Sequence, residues 1–356
     1  MVETEIITVD PLNPDDKKIE KCANVLKNGG IVAFPTETVY GLGACMYDRN
    51  AVRKIFEVKQ RPFDNPLIVH IENLKQLYEV AKDVNEKVRN LISHVWPGPL
   101  TVILPKKRNV PDIVTAHLDT VAVRMPAHPV ALKLIRKLGR PIVAPSANLA
   151  GKPSPTTANH VIEDLFGLVD IIIDAGETFL GVESTILNVS IHPPVLLRPG
   201  PISVEKLEEL FGEKIIVTEQ ARGLIESEKA ISPGTKYKHY APRTPLIIVE
   251  SENYTDLSKI VSGVLDLVKK KIEYGKKVVI IASSETADYY GGYDVIKIGS
   301  RKNLYEVAKN LFKVLREVDK YEADICVVEG FDEKGIGLAI MNRLRKASGF
   351  NIIKIR

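Results

Sequence analysis

Ala144-Pro145-Ser146-Ala147-Asn148-Leu149-Ala150-Gly151-Lys152-Pro153-Ser154-Pro155-Thr156 decides how this chain is read. A short apolar run, Pro141-Ile142-Val143-Ala144, leads into it as a buried strand. The chain then breaks into prolines, hydroxyls, an amide and a lysine, which is loop chemistry. Sheet proteins put ligand sites on such loops, although one alone reads more simply as a surface turn. The pattern recurs through the first half of the chain. Ile31-Val32-Ala33-Phe34 runs into Pro35-Thr36-Glu37-Thr38-Val39-Tyr40-Gly41-Leu42-Gly43. Asn65-Pro66 enters the strand 67–71, which holds His70; residues 120–126 carry Arg124 near a strand end. Residues 181–189 open with Ser184 and Thr185, and the strand 195–198 ends in Arg198.

Between these strands lie helical patterns at 18–27, 50–59, 74–91 (as two pieces), 129–138 and 161–165. Strands and helices intermix without strict alternation, so the expectation is α/β: a twisted mixed sheet with helices packed on it. Gly41 and Gly43 invite a dinucleotide-fingerprint reading, but Met46 stands where the third glycine belongs. No phosphate-binding G-x-x-x-x-G-K-[ST] occurs. From 213 to 245 the periodicity fades, and a basic, aromatic stretch around Tyr237 reads as linker. Residues 246–356 return to regular strand–helix alternation, which implies a second, smaller parallel sheet.

Composition narrows the function. The 356 residues are 45% hydrophobic and 26% charged, enough for two soluble domains, and a net charge of +4 gives no global field for nucleic acid. Three well-separated cysteines suggest neither disulfides nor a zinc knuckle and fit a cytoplasmic protein. No apolar run is long enough to span a membrane, and the acidic first ten residues do not resemble a leader.

The polar residues at the strand mouths are Thr36, Thr38, Lys59, Arg61, Asn65, Thr120, Arg124, Ser146, Asn148, Lys152, Ser184, Thr185 and Arg198, against two carboxylates, Glu37 and Glu183. Cations, hydroxyls and amides outnumber bases, which suits an anionic ligand, most simply a nucleotide triphosphate. Phosphoryl or nucleotidyl transfer needs alignment and charge stabilisation more than a nucleophilic side chain. A magnesium ion would bind mainly through the phosphates. His70, alone in an apolar strand, reads first as a hydrogen-bonded core residue.

Lys59-Gln60-Arg61 with Ser146-Ala147-Asn148 resembles the K-x-R…S-x-N signature of the YrdC family. The blocks 35–42, Trp96-Pro97-Gly98-Pro99-Leu100-Thr101, Arg124-Met125-Pro126 and Glu183-Ser184-Thr185 resemble it too, over residues 10 to 212. Pro233-Gly234 and Lys238-His239-Tyr240-Ala241-Pro242, followed by an α/β domain, resemble its two-domain members. The resemblance implies a YrdC-like catalytic domain at 1–212, a linker and possible active-site lid at 213–245, and a Rossmann-like domain at 246–356. It implies formation of threonylcarbamoyl-AMP and pyrophosphate from L-threonine, bicarbonate and ATP. The product would pass to a tRNA threonylcarbamoyl-transferase complex, which modifies the adenosine beside the anticodon; whether the chain binds tRNA itself is left open.

By the same resemblance, Lys59 and Arg61 would be catalytic, neutralising phosphate charge with Arg198. Asn65, Thr120, Ser146, Asn148, Ser154 and the linker residue Tyr237 would complete the ATP site. Thr36, His70, Arg124, Ala144 and Ser184 would hold threonine, with Arg124 on its carboxylate. Two other readings compete. A carbamoyl-adenylate-forming maturation factor should carry zinc-binding cysteine pairs, and a non-enzymatic RNA-binding module should show salt-dependent RNA affinity without ATP turnover.

Overall fold

The computed structural model of the chain describes residues 2–225 and 240–355. Tyr237 and the linker stretch around it lie outside the described residues. Contacts divide the described chain into two units: residues 2–150 with 154–221, and residues 151–153, 222–225 and 240–355.

The first unit runs β1 (Glu5–Thr8), α1 (Asp16–Lys27), β2 (Val32–Phe34), β3 (Gly41–Cys45), α2 (Arg49–Lys59) and β4 (Ile68–His70). There follow α3 (Leu74–Val80), α4 (Glu86–Val95), β5 (Leu100–Pro105), α5 (Asp112–Thr115), β6 (Thr120–Arg124), α6 (Pro129–Leu138) and β7 (Ile142–Ala144). It continues with α7 (Ala158–Leu165), β8 (Ile171–Asp174), β9 (Thr185–Asn188), β10 (Val195–Arg198), α8 (Val204–Phe211) and β11 (Ile216–Val217), and the chain leaves it through α9 (Glu219–Arg222). The strands form one mixed sheet in the order β1-β8-β2-β3-β7-β4-β6-β5-β9-β10-β11. β11 lies inside the segment read as linker, yet it pairs with β10, so this sheet continues past residue 212.

Local chemistry explains the boundaries. Asp15 caps α1 by accepting from the Lys18 amide, and Asp48 caps α2 by accepting from the Asn50 and Ala51 amides. α1 and α6 bury Ile19, Cys22 and Leu26 with Leu134, Ile135 and Leu138, packed on Phe34, Ile171 and Ile173. α2 ends at Gln60, whose left-handed φ of 53° turns the chain between Lys59 and Arg61. Both cations are consequently buried.

The second unit holds β12 (Leu246–Ser251), α10 (Leu257–Glu273), β13 (Val278–Ser283), β14 (Asp294–Gly299), α11 (Leu304–Glu317), β15 (Ile325–Glu329), α12 (Gly337–Ala347) and β16 (Ile352–Ile355). Its five strands are all parallel, in the order β14-β13-β15-β12-β16. At the carboxyl ends of β13 and β15 lies Arg301, which donates from Nε to Ser283 Oγ, from Nη1 to Gly330 O and from Nη2 to Glu329 Oε2. Its guanidinium carbon stands 4.6 Å from the centre of the Phe331 ring. Glu329 is fully buried and also accepts from the Ser283 amide and the Tyr290 hydroxyl.

Candidate active site

Strand register determines what the first sheet presents. β4 runs parallel to β6 with Ile68 opposite Ala122 and His70 opposite Arg124. β7 runs antiparallel to β4 with Ala144 opposite Ile68. β5 sets Thr101 opposite Arg124 and Ile103 opposite Ala122, β9 sets Ile186 beside Thr101, and a bulge after Leu196 in β10 brings Arg198 opposite Ile186. Paired residues share a face and alternate residues return to it. His70, Ile68, Arg124, Ala122, Thr120, Thr101, Ile103, Ala144, Ile186 and Arg198 therefore line one face.

That face is polar at both ends and apolar between them. Ile68, Ala122, Ile103 and Ile186 form a small buried cluster in the middle. Ala144, level with Ile68, contributes only a methyl group. Thr120 stands four residues before Arg124 on β6, about 13 Å away at strand rise. The residues expected at the site thus fall into two groups, one at each end.

At the first end, Lys59 Nζ donates to Ser146 O at 2.6 Å and to Asn148 O, while Lys59 O accepts from the Ala150 amide. The loop of the opening stretch is wrapped around this lysine. Tyr40 O accepts from the Ala147 amide, and Gly41 bridges to Ser146. Arg61 donates from Nε to Asn65 O and from Nη2 to Pro66 O, so it is fixed to the chain entering β4. Burial first, and then the neighbouring Arg61 charge, holds the Lys59 ammonium well below the ordinary lysine value, while Asp164 pulls the other way. An anion bound beside this pair would offset both the burial and the repulsion from Arg61. Asn65 is buried with its Oδ1 unpartnered.

At the second end, Arg124 donates from Nη1 to Thr38 Oγ1 at 2.9 Å, and its Nη2 lies 2.7 Å from Glu37 Oε1. Thr36 and Thr38 join through their hydroxyls at 2.9 Å. Thr101 and Ser184 do the same at 2.8 Å. Arg198, expected with the phosphates, stands here: Nε donates to Ser184 O and Nη2 to Ser184 Oγ. Ser154, also expected with the nucleotide, donates to Glu183 Oε1 at 2.6 Å and so ties the loop to the residue before Ser184. His70 Nδ1 lies 3.1 Å from Ile68 O, and since a carbonyl only accepts, that nitrogen carries the proton. Burial, then the Arg124 charge, depresses the His70 pKa to about 3, so its ring is neutral at ordinary pH.

Three comparisons with known proteins bear on this arrangement. A family model described as telomere recombination, covering the Sua5, YciO and YrdC proteins, matches residues 24–200, and one described as the C-terminal domain of threonylcarbamoyl-AMP synthase matches 202–349. Over 96% of its length the chain is 49% identical to 97% of the threonylcarbamoyl-AMP synthase of Pyrococcus abyssi, and over 97% it is 46% identical to 97% of that of Bacillus subtilis. The chain belongs to the threonylcarbamoyl-AMP synthase family. A crystal structure of Pyrococcus abyssi Sua5 complexed with L-threonine superposes with a TM-score of 0.91 at 48% identity, covering 99% of each chain. The α/β architecture expected from the sequence, a large mixed sheet followed by a smaller parallel one, is therefore that of a synthase.

Thr101, quoted from the sequence only as the end of the block 96–101 and given no role there, faces the site. It sits in an apolar strand, and only the register opposite Arg124 brings it to Ser184. As to a metal, no group of three or more His, Cys, Asp or Glu capable of holding one occurs among the described residues. Of the carboxylates read at the strand mouths, Glu183 accepts from Ser154 and Glu37 contacts Arg124. That donor set does not form a protein cage for a divalent ion. No described helix is long and apolar enough to cross a membrane.

Proposed function

We propose that this synthase joins L-threonine, bicarbonate and ATP into threonylcarbamoyl-AMP with release of pyrophosphate. The observation that carries the reading is the single sheet face with a lysine–arginine loop at one end and a guanidinium–hydroxyl cluster at the other. A nucleotide and an amino acid laid along it meet over the apolar middle. Lys59, Arg61, Asn65, Ser146 and Asn148 hold the phosphates, with Thr120 on the nucleoside side, while Ser154 ties the loop to Glu183 at the threonine end. Arg124 takes the threonine carboxylate, while Thr36, neutral His70 and Ser184 surround its side chain against Ala144. Arg198, bonded to Ser184, holds the seam between the two ligands.

The threonine amine takes up bicarbonate with loss of water to give N-carboxythreonine, whose carboxylate attacks the α-phosphate and displaces pyrophosphate, while the cations stabilise the charge that builds on the leaving group. Magnesium enters on the triphosphate as part of the substrate, with oxygen ligands from phosphate and water. The product is a mixed anhydride, short-lived in water, and goes to a tRNA threonylcarbamoyl-transferase complex in the cytoplasm, where tRNA is found. Mass spectrometry of the products formed from ATP, threonine and bicarbonate, each omitted in turn, tests the assignment. Threonylcarbamoyl-AMP should appear only with all three; its absence from the complete mixture would overturn the reading.

A further inference from the structure

The hydroxyl protons around Arg124 can be placed one by one. Thr36 Oγ1 donates to Val39 O at 2.7 Å, which uses its single proton. In the 2.9 Å contact between Thr36 and Thr38 the donor must then be Thr38. Thr38 Oγ1 in turn accepts from Arg124 Nη1. The chain of donors therefore ends without a proton for Glu37. Both carboxylate oxygens of Glu37 are buried without a hydrogen-bond partner, and its side chain is 9% exposed. The 2.7 Å approach of Arg124 Nη2 is a contact of charges rather than an aligned hydrogen bond. A buried carboxylate left in this condition is costly unless a donor arrives.

An α-amino acid is itself a carboxylate beside an ammonium. Arg124 and Glu37 present the complementary pair, one cation and one anion in contact. We infer that Glu37 is the acceptor for the substrate ammonium, so that it, and not Arg124 alone, makes the site selective for amino acids over hydroxy acids. The inference rests on the synthase reading and names the group that recognises the amine. Glu183 is less suited, since its Oε1 already accepts from Ser154.

Calorimetric titration of the full chain with L-threonine and with (R)-3-hydroxybutyrate, the same molecule without its amine, tests this. The unaltered protein should bind threonine about ten- to a hundredfold more tightly, the range of a charge-assisted hydrogen bond. In Glu37→Gln that preference should collapse through loss of threonine affinity, with hydroxybutyrate and ATP affinities unchanged. Equal binding of the two ligands by the unaltered protein would overturn the inference without needing any variant. So would a Glu37→Gln protein that keeps the preference, or one that loses both ligands alike, which would mean that Glu37 only orients Arg124. Product formation by the unaltered protein, measured alongside, separates failure of this inference from failure of the synthase reading.

Discussion

His70 makes the first unit sensitive to acid in a calculable way. In the unfolded chain its imidazole titrates near 6.5, whereas in the folded protein burial and Arg124 hold the value at about 3. Between those two values the unfolded state binds a proton that the folded state refuses. Stability attributable to this ring is therefore fully present above pH 6.5 and declines as the pH falls toward 3. The slope is about 1.36 kcal/mol per pH unit, so at pH 4.5, two units into the window, the loss is roughly 2.7 kcal/mol. In His70→Asn the amide can still donate to Ile68 O but cannot take up a proton. That variant should be less stable at pH 7, having lost the edge contact with Phe34 at 6.0 Å. It should then lose roughly 2.7 kcal/mol less than the unaltered protein between pH 7 and 4.5. Trp96 is the chain's one tryptophan and lies buried in the first unit, so urea unfolding followed by its fluorescence reports on that unit alone. Carboxylates that titrate in the same range cancel in the comparison. Parallel pH profiles for the two proteins, within about 0.5 kcal/mol, would refute the claim that this ring resists protonation.

Two further outcomes follow from the site. Lys59→Met leaves Ser146 O and Asn148 O without the ammonium that they share. It should cost about 2–5 kcal/mol in urea unfolding and abolish ATP binding by titration, while threonine still binds. Gly200→Ala would set a Cβ 2.3 Å from the Thr185 amide and 2.7 Å from Glu183 O, so the segment bearing Ser184 must shift. Several-fold weaker threonine binding, with a stability loss of about 1–3 kcal/mol, is the expected result; unchanged calorimetric affinity would count against a role for Ser184.

Much of the fold was legible because its elements carry strong local signals. α6 occupies the predicted span 129–138, helped by Pro129 at its start and Gly139 at its end. β3 was obscured by Gly41 and Gly43, which look like turn residues. In the sheet they make room: a Cβ on Gly43 would lie 2.8 Å from both Ile142 and Phe34. β1, β14, β11 and α8 went unread because they are short or exposed, or interrupted by lysines as in Asp294-Val295-Ile296-Lys297-Ile298. The resemblance to the K-x-R…S-x-N signature brought Lys59, Arg61, Ser146 and Asn148 into one hypothesis, and the wrapped loop supports that grouping. The division of the site into two ends could not be seen, since it depends on the register among β4, β5, β6 and β7. Glu37 was visible as one of two carboxylates, but its unmet oxygens emerge only once every neighbouring proton is placed.

Open parallel sheets receive their ligands in the crevice beyond the carboxyl ends of the strands. In the second unit that position, beside β13 and β15, is taken by Arg301, which is held by a serine, a carboxylate and a carbonyl and stacked on a phenylalanine. A cation bound from solution would ask for the same partners. At that point the sheet supplies its own cation, and the acceptors there are satisfied from within the chain.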